Sequence, residues 1–536
     1  MSLLRSAATI SGLTLLSRIT GLIRDILIAR TFGASPLTDA FWVAFRIPNL
    51  LRRLFAEGAF SQAFVPILAE HKEQHSPDKV KSLLDHVAMV LFFSLLLVTI
   101  IGIIGAPVVV WIMATGMRTQ GEGFHEAVFM TRLMFPYILC MSLVAFASGV
   151  LNTWKKFAIP AFTPVLLNLS MIFACFFLLG LFVQPIYALA TGVMIGGVLQ
   201  LAVQWGALAK IGLFPSFRHS LKAAWQDPNV RRIIKLMGPA ILGVSVAQIS
   251  ILINTNIATW LPAGSVTWLS FADRLMEFPT ALLGIAIGTV LLPSLAAANA
   301  KEDVQAYSRL LDWGLRLVFL LGLPCVLGLS LLSEGLVANL FNYGAFTHKD
   351  VAMTQTAVIA YAFGLIGILS VKILAPGFYA KQDIRTPVKI AIVVLISTQV
   401  FNLIFVPFLA HAGLSLSIGL GATMNALCLY IGLRRRQAYI PHTRWLPFFA
   451  RVFPALLILA AWLYFSQQYI DWQMTDSLSL NQQLAHFLGQ WSTATHWLNN
   501  ISRLITLIVI LAISMVLYFA TLFIMGFRLR DFARQR

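Results

Sequence analysis

Arginine inside an apolar stretch is the most chemically informative feature of this chain. Arg18, Arg24, Arg46, Arg52 and Arg53 all fall within two apolar segments near the start, accompanied by Asp25, Asp39 and Glu57. Arginine presents a planar fork of donors that grips phosphate oxygens two at a time, and in a low-dielectric cleft such contacts are stronger than in water. Five cations against three carboxylates leave a positive surplus, so this segment suits an anion, and a phosphate above others. Seven further basic residues, Arg30, Arg132, Arg274, Arg316, Lys372, Arg451 and Arg503, also lie inside apolar runs. Ionisable groups at membrane depth ordinarily face a water-filled cavity or a partner. Arg30, Arg132, Arg316, Arg451 and Arg503 lie near span ends, where snorkelling to the interface accounts for them. Pairing accounts for others: Arg53 and Glu57 are four apart and Arg274 and Glu277 three apart, spacings that share a helix face, and Asp25 and Asp39 offer further partners. Gly21 and Pro48 lie between these arginines and are candidate breaks in their helices.

The elements that carry these residues are membrane helices. The chain has 536 residues, 59% of them hydrophobic and 11% charged, with mean hydropathy +0.82, which is far too apolar for a soluble protein of this size. Runs of about 20 apolar residues recur throughout, and helices are the form that satisfies backbone hydrogen bonds in lipid without a closed barrel. Spans are predicted near 9–30, 38–68, 87–113, 129–151, 160–180, 186–207, 236–259, 267–296, 311–333, 352–378, 390–407, 412–433, 446–465 and 502–526, about fourteen in all. The expected fold is an all-α polytopic membrane protein.

Loop charge orients it. One set of alternate loops holds 25 Lys and Arg residues, the other only Arg118 and Lys349. This bias places both termini in the cytoplasm and the Lys/Arg-free segment 466–502 outside. It also explains most of the net charge of +18 without nucleic acid as a partner, since basic cytoplasmic loops lie against anionic membrane lipids. The four cysteines sit in apolar runs with no metal-ligand spacing and read as packing residues. The charged, interrupted first span lacks the form of a cleaved signal peptide.

Three landmark pairs, Pro66 and Pro293, Pro160 and Pro387, Gly192 and Gly419, are each 227 positions apart. They mark an internal repeat of about six helices. The expected organisation is an N-terminal lobe over 1–230, a second lobe over 231–440 and two additional helices over 441–536. A repeat with an even number of spans keeps its orientation, the arrangement of transporters that bind substrate between two lobes and rock them. No P-loop, HExxH, GxSxG or Cys/His cluster is present, so neither ATP hydrolysis nor covalent chemistry is indicated. No cofactor and no metal are expected, and transport would draw on the membrane potential or an ion gradient.

The run SRITGLIRDILIARTFGASPLTDAFWVAF from Ser17 and the run RIPNLLRRLFAEGAFSQAFVPILAE from Arg46 closely resemble the MurJ (MviN) family of lipid II flippases. So do MGPAILGVSVAQISILINT from Met237, FADRLMEFP from Phe271, LAPGFYAKQDIRTPVKI from Leu374 and HAGLSLSIGL from His411. The resemblance covers essentially the whole chain. It implies a fold of the MOP exporter superfamily, two six-helix lobes plus two C-terminal helices bordering a groove for a polyprenyl tail. It implies a substrate, undecaprenyl-pyrophosphoryl disaccharide-pentapeptide, moved outward for cell-wall synthesis, and cell-wall synthesis and division machinery as partners. The positions matching the family's cavity residues are Arg18, Arg24, Asp39, Arg52, Arg274 and Glu277, with Asn49, Arg53 and Glu57 nearby. The arginines would hold the pyrophosphate while the carboxylates position them or form gates. Against this stand a multidrug exporter, whose cavity would be acidic or aromatic, a scaffold without transport, and a membrane glycosyltransferase, which needs more extramembrane surface than these loops provide.

Overall fold

The computed structural model describes residues 3–51, 53, 60–121, 123–217, 220–441, 445–474, 479–489 and 495–528. Among them no strand occurs. The helices of the first half are α1 (Leu3–Phe32), α2 (Pro36–Leu51), α3 (Ser61–Gln74), α4 (Pro77–Met113), α5 (Thr115–Gln120), α6 (Phe124–Met134), α7 (Tyr137–Thr153), α8 (Ala158–Phe177), α9 (Tyr187–Lys210), α10 (Leu221–Gln226) and α11 (Pro228–Ala258). They are followed by α12 (Ser265–Ala300), α13 (Val304–Leu331), α14 (Ser333–Phe341), α15 (His348–Ala362), α16 (Leu365–Tyr379), α17 (Arg385–Arg435), α18 (Trp445–Gln467), α19 (Leu480–Gly489) and α20 (Thr495–Ile524).

Eight helical stretches among the described residues are long and apolar enough to cross a membrane, and a ninth is the pair α15 and α16, bent by 42°. One of the eight, α17, has 51 residues, roughly 77 Å if straight, more than twice the hydrocarbon thickness. It therefore breaks, at Ala410 with φ 48° and ψ −127°. The turn is tight: a Cβ on Gly413 would lie 2.6 Å from the Phe405 carbonyl oxygen. Its two arms are the expected spans 390–407 and 412–433. The remaining expected spans fall on α1, on α2 with α3, on α11 and on α12. The helical membrane architecture of about fourteen crossings thus has an element for each.

Local chemistry sets the ends. Asp227 accepts from the Asn229 amide at 2.8 Å, with Pro228 opening α11, and Thr347 and Asp350 form a reciprocal capping box on α15. Neither Gly21 nor Pro48 interrupts its helix: α1 and α2 run continuously through them.

Packing divides the chain into two compact units, Met1–Thr267 and Trp268–Arg536. In the first, α8 lies between α1 and α9, α7 packs on α9, and α11 packs on α3 and α4. In the second, α13 packs on α16 and α18, α17 on α15 and α16, and α20 on α18 and α19. Gly192 and Gly419, one repeat apart, are both crossing points. A Cβ on the first would be 2.8 Å from the Ala174 Cβ, and one on the second 3.0 Å from the Gly364 Cα.

The snorkelling expectation divides. Arg30, Arg132 and Arg451 are exposed. Arg503 is buried instead, donating to Asn500 Oδ1 at 2.6 Å and to the Trp472 carbonyl at 3.3 Å. Arg316 pairs with buried Asp312 at 3.4 Å and lies over the Trp445 ring. Trp472, which follows α18, is itself buried against Gly335.

Candidate functional site

The α1 arginines occupy two different environments. Arg24 is buried, and its Nε and Nη2 both donate to Asp25 Oδ1, at 2.8 and 2.7 Å. Its third donor, Nη1, reaches Asn168 Oδ1 on α8 at 3.0 Å. Asn168 Nδ2 in turn donates to the Ser17 carbonyl at 2.9 Å and Thr20 Oγ1 at 3.2 Å. Five residues on two helices thus satisfy one another, and the Arg24 charge is neutralised within the unit. Arg18, six residues earlier, is half-buried and has no hydrogen-bond or ion-pair partner among the described residues.

Asp39 was read as a gate or ion-pair residue, and the structure surrounds it with neutral donors. Its Oδ2 accepts from the Gly264 amide at 2.7 Å, and its Oδ1 from the Thr267 amide at 2.8 Å and Thr267 Oγ1 at 2.6 Å. These groups form the entry to α12, where backbone N–H groups lack helical partners and the helix dipole favours negative charge. The side chain is buried there.

Further along α2, Arg46 donates to Thr255 Oγ1 on α11. Asn49 is half-buried in the last turn, and Arg53 is exposed. Arg52 and Glu57 lie outside the described residues, and with them the expected Arg53–Glu57 pair.

In the second unit, Arg274 Nη1 donates to Glu277 Oε2 at 2.7 Å on α12, with side chains 22% and 40% exposed. One turn on, Lys372 from α16 reaches the Thr280 carbonyl at 3.3 Å. Sequence reasoning placed Lys372 in a span and assigned it nothing, yet it stands beside α12. It passed over Asn168 altogether, although an amide inside the apolar run LLNLS was a visible signal.

The arrangement is that of a binding protein. Its guanidinium groups offer forked hydrogen bonds to phosphate oxygens, on helices that cross a membrane. Fold and residues together define a polytopic helical membrane protein with arginines at membrane depth. A solved structure of a multidrug resistance MATE family transporter of the MOP superfamily, in an inward-facing conformation, matches 81% of this chain and 98% of its own with a TM-score of 0.68 and 14% identity. A lipid II flippase MurJ structure in an inward closed conformation matches 96% of this chain and 99% of its own, with a TM-score of 0.74 and 22% identity.

Sequence is more specific than fold. The family model described as lipid II flippase MurJ matches residues 28–481. A lipid II flippase MurJ from Burkholderia cenocepacia is 50% identical over 535 residues, covering all of both chains. A probable lipid II flippase MurJ from Haemophilus influenzae is 37% identical, covering 96% of this chain and 98% of its own. The chain belongs to the lipid II flippase MurJ family, a family of transporters rather than enzymes. It is a multi-pass protein of the inner membrane.

Proposed function

We propose that this protein flips lipid II from the cytoplasmic to the periplasmic leaflet of the inner membrane by alternating access, supplying the precursor for peptidoglycan synthesis. The observation that carries this reading is the guanidinium of Arg18, which has no partner among the described residues and is half-buried in a membrane helix beside an arginine that is already neutralised. A cation kept free at membrane depth is costly unless an anion visits it. Arg18, Arg52, Arg53 and Arg274 hold the pyrophosphate, with Asn49 as a neutral donor. Glu57 and Glu277 position arginines between visits, Asp25 holds Arg24, and Asp39 acts as a latch on the entry to α12. Both termini face the cytoplasm, in keeping with the loop charge. No cofactor takes part, and the membrane potential or an ion gradient supplies the energy. Cell-wall synthesis and division enzymes receive the product.

The test is complementation of a strain depleted of its own flippase by Arg18→Ala, Arg52→Ala and the double variant, scored with membrane abundance and the level of lipid-linked precursor. Loss of growth at normal abundance, with precursor accumulating, is expected for the double variant. Full growth with both arginines removed would overturn the cationic site and leave a scaffold without transport as the better reading.

A further inference from the structure

A cavity of about 650 Å³ opens in the first unit where α4 ends and α6 begins, lined by Pro107, Val108, Trp111, Arg118, Phe124 and His125. Two glycines with left-handed backbone, Gly121 at φ 77° and Gly123 at φ 79°, turn the chain there and bring Arg118 and His125 to one mouth. A Cβ on Gly123 would also lie 2.9 Å from the Pro36 carbonyl oxygen, so this turn is fixed against α2. Arg118 is exposed and has no hydrogen-bond or ion-pair partner among the described residues, and the same holds for hydrogen bonds of His125. Below the mouth, Leu97, Ile101, Ile104, Val108 and Trp111 are exposed at helical spacing along α4. The last two also line the cavity, so apolar stripe and cationic mouth are continuous.

Arg118 is also out of place by charge. It is one of two basic residues in the loops that the positive-inside bias assigns outward, and the only one of the two at this cavity. We infer that the cavity binds an anionic glycerophospholipid of the outer leaflet, its phosphate on Arg118 and His125 and one acyl chain along the α4 stripe. Charge selects the headgroup, since a cation near the surface favours anionic lipid while a zwitterion gains little. The stripe selects a chain-bearing molecule over a free phosphate, because it offers only hydrocarbon contact. This inference rests on the outward assignment proposed above but not on flipping, so it stands or falls separately from the arginine site.

The experiment uses the full chain in phosphatidylcholine vesicles, with increasing fractions of phosphatidylglycerol or phosphatidylcholine brominated on the acyl chains. The Trp111 share of fluorescence is obtained by difference from Trp111→Phe. Half-quenching is expected at about fivefold lower fraction for the anionic lipid, the preference one basic residue near the surface provides. Arg118→Gln should bring the ratio to one, and Arg118→Lys should largely keep it, because a point charge suffices. Equal quenching by both lipids in the unaltered protein would overturn the site, as would a preference that survives Arg118→Gln combined with His125→Gln. Displacement of the preference by soluble glycerol 3-phosphate would overturn the lipid assignment in favour of a small anion. A preference unaffected by it supports the lipid.

Discussion

Two arginine–carboxylate pairs at membrane depth share a distance and differ in exposure. Arg24–Asp25 has side chains 6% and 2% exposed, and Asn168 takes the remaining guanidinium face. Arg274–Glu277, at the same 2.7 Å, has side chains 22% and 40% exposed and joins two residues of a single helix turn. A buried pair that is fully hydrogen-bonded is a structural clamp, because removing one partner strands the other in low dielectric. An accessible pair is exchangeable, since water or a substrate oxygen can replace the carboxylate at little cost. Charge inside a span therefore does not by itself mark the substrate path. What marks it is charge left reachable.

The strongest way to break this distinction is Arg24→Ala. With Asp25 and Asn168 left unsatisfied, stability should fall by about 3–5 kcal/mol. Thermal unfolding of the purified protein should shift down and membrane abundance should drop. Arg24→Met combined with Asp25→Leu removes both charges and should recover much of the loss, because hydrophobic replacement of a whole buried pair is often neutral. Normal abundance of Arg24→Ala, with transport lost, would instead place Arg24 among the substrate contacts and erase the contrast with Arg18.

A second, smaller effect sharpens the contrast from the other side. Asp39 holds its three donors with no cation paired to it among the described residues, so Asp39→Ala should cost about 1–3 kcal/mol, the scale of a lost helix cap with buried amides left unpaired. Asp39→Asn keeps one acceptor oxygen for Thr267 and turns an amide toward Gly264, so it should fall between. Thermal unfolding of both variants at matched abundance checks the order. An Asp39→Ala variant as stable as the unaltered protein would show that water can serve these amides equally well.

These effects show where sequence was legible and where it was not. The spans were legible because membrane helices must be long and apolar, as in α4, and even the break in α17 at Ala410 falls in the gap between the expected spans 390–407 and 412–433. The Arg274–Glu277 contact was legible because three residues on a helix share a face. The Asp39 contact was not, since Thr267 lies 228 positions away and nothing in either segment names the other. Arg503 misled for a related reason. Its place near a span end suggested snorkelling, while Trp472, whose carbonyl it meets, comes from the segment between α18 and α19, whose fold no periodicity announces. Pairings made through tertiary packing leave no local pattern to read.

The smallest predicted effect is the most informative about transport. If Glu277 holds Arg274 between substrate visits, it competes with the phosphate for one guanidinium. The pair is partly exposed, so the competition is worth about 0.2–1 kcal/mol, and Glu277→Gln should leave thermal stability almost unchanged. It should tighten binding of a short-chain pyrophosphoryl-lipid analogue by roughly 1.4- to 5-fold, the same energy expressed as affinity. Arg274→Gln should weaken that binding, with Glu277 then repelling the anion unopposed. Titration calorimetry on the purified variants separates the cases. Weaker binding by Glu277→Gln would mean that the carboxylate itself contacts the substrate, for instance through a sugar hydroxyl. Unchanged binding in both variants would mean that Arg274, although reachable, is spent on α12, and the search for the phosphate contacts would narrow to the arginines of α1 and the segment after α2.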